Sequence, residues 1–133
     1  IKNKYSCNMA EKIKLNLEYI VNSSPRILFP FLQEPNALSQ WLADDVNYRE
    51  SVYEFVWDDE GHKAKIVNIK ENKLIRYKWL EDEPYYFELE IDQDELTNDV
   101  ALRITDFAKE DDVENRKMIW NNSIEYLQSV IGG

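Results

Sequence analysis

The sequence predicts an α+β fold: a curved antiparallel sheet of six to seven strands, two short helices after the first strand, and a long C-terminal helix across the sheet. Three observations predict it. Period-two alternation recurs in segment after segment, proline-led helix starts cluster between residues 24 and 42, and a helical apolar stripe closes the chain. The 133 residues suit one domain, with 44% apolar and 13% aromatic content sufficient for a real core. Three Gly and four Pro exclude collagen-like and low-complexity classes.

Ile13, Leu15, Leu17, Tyr19 and Val21 alternate with Lys14, Asn16 and Glu18, which describes a strand with one wet face. Asn22-Ser23-Ser24-Pro25 stops it and starts a helix, with Ser24 as cap and Pro25 in the first turn. Pro30 limits that helix to about two turns. A second short helix is expected from Pro35 to Leu42, burying Leu38, Trp41 and Leu42.

From Asp45 onward the pattern is a run of antiparallel strands. A weak one covers Val46 to Glu50, and Val52 to Trp57 points Tyr53, Phe55 and Trp57 to one side. Asp58-Asp59-Glu60-Gly61 reads as a hairpin turn with Gly61 left-handed, and Glu71-Asn72 as a two-residue turn between strands Lys63–Lys70 and Lys73–Leu80. Strands Pro84 to Asp92 and Val100 to Phe107 follow. The expected register sets Trp79 against Phe87, Tyr77 against Leu89 and Ile75 against Ile91 on the inner face. It sets Lys78 against Glu88 and Arg76 against Glu90 outside, and brings Ile75 and Tyr77 to Asn68 and Ile66.

The last element is a helix capped by Asp111 or Asp112 and ended by Gly132. Val113, Trp120, Ile124, Leu127 and Ile131 form its stripe, widened by Tyr126 and Val130. A rod of about 20 residues, roughly 30 Å long, matches the width of six strands at about 4.8 Å spacing.

This order of elements resembles the START/Bet v 1-like (SRPBCC) superfamily, the helix-grip fold. It is most similar to small bacterial START-like proteins related to the activator-of-Hsp90-ATPase homologue group. The resemblance is carried by Ile13 to Val21, the Ser24-Pro25 turn, Pro35 to Trp41, Leu74 to Trp79, and Trp120 with Leu127, and covers residues 11 to 131. It implies a holder of apolar ligands, a polyketide cyclase, a lipid carrier or an Hsp90-binding module, and a shared fold does not choose among these.

The candidate ligand-binding residues are Phe55, Trp57, Asn68, Tyr77, Trp79, Phe87 and Trp120, all expected between the last helix and the inner sheet face. The same rings would equally fill a dry core. Asn68 is expected on the inner face beside Tyr77, where a buried amide needs a partner.

Other chemistries find little support. One histidine, His62, and one cysteine, Cys7, leave no nitrogen–sulfur metal set, no cofactor motif and no disulfide. Asp92, Asp94 and Asp99 come nearest to a calcium loop but lack its glycine. Asp106 is the one carboxylate on an inner-facing row, and the reading favoured for it is the open, wet end of the sheet. No catalytic set follows.

A net charge of −10 argues against nucleic acid as a partner. No apolar run is long enough to span a membrane or serve as a signal core, so a cytoplasmic location is expected. Residues 1–10 are expected to be a disordered tail, with Met9 as the natural start, and residues 11–133 one domain. The function expected is non-enzymatic binding of a small hydrophobic or amphipathic molecule or lipid. The alternatives are a protein-interaction module of the Hsp90-coregulator type, or a cavity enzyme such as a cyclase or hydrolase.

Overall fold

The computed structural model describes residues 11–132, and the tail expected over residues 1–10 lies outside them. Strand β1 (Ile13–Val21) is followed by three single helical turns, α1 (Pro25–Leu28), α2 (Pro30–Gln33) and α3 (Pro35–Leu38). Then come β2 (Asp45–Arg49), β3 (Val52–Trp57), β4 (Glu60–Lys70), β5 (Leu74–Trp79), β6 (Tyr86–Gln93) and β7 (Val100–Ala108), before the long helix α4 (Val113–Ile131). The seven strands form one antiparallel sheet in the order β1-β7-β6-β5-β4-β3-β2. This is the helix-grip arrangement.

Proline punctuates the segment after β1. Ser24 Oγ accepts the Ile27 N–H at 3.3 Å and Pro25 opens α1, as the sequence indicates. Pro30 and Pro35 each open a new turn, because a residue without an N–H fits only where none is needed. Three turns therefore replace the two helices expected. Trp41 and Leu42 lie beyond α3 yet are buried, with Trp41 Nε1 donating to Phe31 O at 2.8 Å.

The hairpin turns use almost no glycine. Glu50 and Ser51 join β2 to β3, and Asp58 and Asp59 join β3 to β4, all four with positive φ. Such paired left-handed residues match the twist of a two-residue hairpin. Gly61 is not the left-handed residue expected; it sits within β4 opposite Val56. Asn72, with φ 62°, is left-handed as expected, but Lys70 pairs with Leu74, so the turn holds three residues, Glu71 to Lys73, rather than the two expected.

Two corrections concern register. Strands β5 and β6 pair two residues away from expectation: Tyr77 faces Phe87, Ile75 faces Leu89 and Arg76 faces Glu88. A slip of two preserves which face each residue occupies, so the inner and outer sets survive while the partners change. Arg76 Nε accordingly bonds Glu88 Oε1 at 2.8 Å rather than reaching Glu90. In β4, a bulge between Ile66 and Asn68 inserts one extra residue, Val67. Asn68 is thereby set opposite Arg76 on the outer side and is exposed, not on the inner face beside Tyr77.

The core lies on the concave face, under two covers. Helix α4 contributes Trp120, Ile124 and Leu127, while Tyr126, at 64% exposure, and Val130 face outward and do not widen the stripe as expected. Gln128 Nε2 donates to Ile20 O at 3.4 Å, fixing the far half of α4 over β1. Asp112 precedes the helix without a side-chain cap bond, and Gly132, with φ 89°, ends it. The second cover is the segment from α1 to Leu42. Tyr53 Oη donates to Gln33 O at 2.9 Å, Tyr77 Oη to Leu32 O at 2.7 Å, and Trp57 Nε1 to Leu42 O at 2.9 Å. No helix among the described residues is long and apolar enough to cross a membrane.

Candidate functional site

The two covers do not meet everywhere. Between α4, the end of the 25–42 segment and the sheet ends that carry Trp57 and Trp79 lies a pocket of about 330 Å³. Trp57 and Trp79 are the last residues of β3 and β5, where alternation still aims them inward but the covers have thinned. Phe87 and Trp120 form the deeper wall, their ring centroids 6.2 Å apart. His62 stands against both tryptophans, with centroids 5.9 Å from Trp57 and 6.3 Å from Trp79.

The rings are held in place by the protein's own contacts. Trp57 is fixed by its bond to Leu42 O and stacks on Phe55 at 6.0 Å. Trp79 packs at 5.3 Å on Phe87. Trp120 Nε1 donates to Asp106 Oδ2 at 2.8 Å. Hydrogen bonds at the ends of flat side chains set their planes, which is what a preformed site requires.

Asp106 corrects the expectation of a wet carboxylate at the sheet's open end. It is 5% exposed and beneath α4. Its Oδ2 accepts from Trp120 and, at 3.0 Å, from Arg116 Nη1, while its Oδ1 accepts the Phe107 N–H at 2.8 Å. Arg116 and Trp120 are one helical turn apart, so a single inward carboxylate on β7 ties the first half of α4 to the sheet. Lys12 lies at the rim, where its N–H donates to Tyr85 Oη at 3.0 Å and its Nζ pairs with Asp82.

Four of the seven sequence-predicted residues line the pocket: Trp57, Trp79, Phe87 and Trp120. Phe55 and Tyr77 lie behind it, fully buried in the core. Burial above all pushes the Tyr77 phenol far above its ordinary range, and it raises Tyr53 as well. Asn68 is on the opposite side of the sheet. Sequence reasoning missed His62, Arg116 and Ser123 as lining residues. The signals available were a basic residue and a serine on the apolar stripe, each within one turn of Trp120.

Among the described residues, no three His, Cys, Asp or Glu side chains group in a way that could hold a metal ion. Asp94 spends its Oδ1 on the Leu96 and Thr97 N–H groups of its own turn, at 2.7 and 3.0 Å. Those bonds lower its pKa, the Thr97 N–H foremost.

The family model described as a START-like superfamily domain matches residues 9–133. The chain is similar to BfR322 from Bacteroides fragilis, solved by NMR, with 35% identity over 90% of each chain and a TM-score of 0.62. It shares its fold with the Aha1 dimer from Colwellia psychrerythraea, at 16% identity, TM-score 0.75, covering 90% of this chain and 96% of that one. Protein MLL2253 from Mesorhizobium loti is similar in the same sense, at 15% identity and TM-score 0.75 over 90% and 97% of the two chains. No curated protein matches.

Proposed function

The chain belongs to the START-like superfamily, and on that premise we propose that it holds a small hydrophobic or amphipathic molecule, without transforming it, in the pocket beside α4. The observation that carries this reading is the pocket of about 330 Å³ walled by Trp57, Trp79, Phe87 and Trp120. Ligand sites are concave and largely apolar with polar groups that fix orientation; here the four rings supply the apolar wall, and six charged side chains, His62 and Ser123 share the lining. Burying roughly 200 Å² of apolar ligand surface at about 25 cal/mol per Å² supplies about 5 kcal/mol before the cost of association.

Neither alternative has an observation of equal weight. An Hsp90-coregulator role draws on the fold likeness alone. A cavity enzyme would need an acid or base oriented by a partner. Both oxygens of Asp106 already accept from Phe107, Arg116 and Trp120. His62, which also lines the pocket, has ring contacts with Trp57 and Trp79 but no orienting carboxylate or hydroxyl among the described residues. Titration with the uncharged dye Nile red tests the reading. Saturable binding near one equivalent is expected, weakened about tenfold by Trp79→Ala as one ring wall is lost. Non-saturable uptake, or an affinity indifferent to Trp79→Ala, overturns it.

A further inference from the structure

We propose that Ser123 Oγ is the polar anchor of this pocket and selects an uncharged, ring-bearing ligand that carries a hydroxyl or carbonyl group. The inference rests on the binding reading above and names the ligand class. Ser123 lies on the covered face of α4 between Trp120 and Leu127, lines the pocket, and is only 8% exposed. Among the described residues no hydrogen bond reaches its Oγ. A serine inside a helix ordinarily bonds back to the carbonyl one turn earlier, here Ile119, and this one does not. A buried hydroxyl without a partner is unfavourable, and an acceptor or donor brought by a ligand removes that penalty.

Charge decides the rest. The pocket wall carries three cationic side chains, Lys12, Lys63 and Arg116, and three anionic ones, Glu81, Asp82 and Asp106. Arg116 is bound to Asp106 at 3.0 Å and Lys12 to Asp82, so the field within is nearly balanced. Lys63 and Glu81 have no ion-pair partner among the described residues, but both are exposed to water, which screens them. Beside Ser123 on α4 the charges are Arg116 and Asp106, and a charged head group seated there would have to break their pair, whereas a neutral one leaves it intact. The flat faces of Trp57, Trp79 and Trp120 favour a ring over a flexible chain, since a ring loses less freedom on binding.

Three probes of one shape test this on the 15N-labelled protein, read by the indole N–H signals of its tryptophans: naphthalene, 2-naphthol and 2-naphthoate. In the unaltered chain 2-naphthol is expected to bind roughly fivefold to tenfold more tightly than naphthalene, the worth of one hydrogen bond, and 2-naphthoate most weakly. Ser123→Ala, which suits a helix, should erase the naphthol preference and leave naphthalene affinity unchanged, while Ser123→Thr should keep the preference. A preference that survives Ser123→Ala, or equal binding of naphthol and naphthalene, overturns the Ser123 assignment alone. Tightest binding of 2-naphthoate overturns the uncharged class. Saturation by none of the three overturns the binding reading and this inference together.

Discussion

A carboxylate such as Asp106 is tolerated beneath a helix only when every lone pair aimed at the protein meets a donor. Here the donors are one backbone N–H, one indole and one guanidinium. Asparagine in its place offers one accepting oxygen where two are used, and its NH2 would face a donor. Asp106→Asn is therefore expected to destabilise the fold by about 2–3 kcal/mol, measured by urea unfolding. A loss below about 0.5 kcal/mol would show the clasp to be incidental. Tyr77 shows the complementary case of a neutral group: its Oη bonds Leu32 O at 2.7 Å and its ring is fully buried, so the proton stays on.

Among elements, the β5–β6 ladder shows how a strand pair can have its faces right and its partners wrong. Alternation fixes parity, because a side chain must point in or out. It does not fix position along the partner, because a slip of two leaves both faces equally apolar or charged. The turn decides position, and residues 80–85 form a longer connection than a two-residue hairpin. Arg76 also lies over the Tyr86 ring, 4.0 Å from its centroid, which anchors it towards Glu88. A double-mutant cycle should return about 0.5–1 kcal/mol of coupling between Arg76 and Glu88 and essentially none between Arg76 and Glu90. Equal couplings would refute the register. The bulge at Val67 is the other event alternation does not reveal, since one extra residue flips everything after it, Asn68 included.

For the molecule as a whole, burial of phenols links stability to alkaline pH. Tyr77 and Tyr53 titrate above the unfolded phenol value, chiefly through burial. The folded form therefore holds its protons longer: this contribution is complete below about pH 10 and is lost as pH rises through the folded values. Tyrosinate absorbance should show an early exposed component near pH 10 and a late one coincident with loss of circular dichroism, and Tyr77→Phe should shrink the late one. A single titration near pH 10 with the fold intact would contradict this assignment of buried phenols. The site, too, belongs to this scale. Its walls come from β3, β4, β5, the connection over residues 80–85, β6, β7, α4 and the segment ending at Leu42, brought together by the sheet's curvature.

Strand and helix order, the proline-led starts, the inward faces of Trp57, Trp79, Phe87 and Trp120, and the αL stop at Gly132 were all legible in the amino acids alone. Each depends on periodicity, on φ restriction or on a missing N–H, which are properties of neighbours in the chain. The position of β5 along β6, the outward turn of Asn68, the burial of Asp106 and the gap between the two covers were not legible. Those depend on which distant side chains fill a shared volume and which donors reach a shared oxygen. Such competition exists only once the chain has closed on itself.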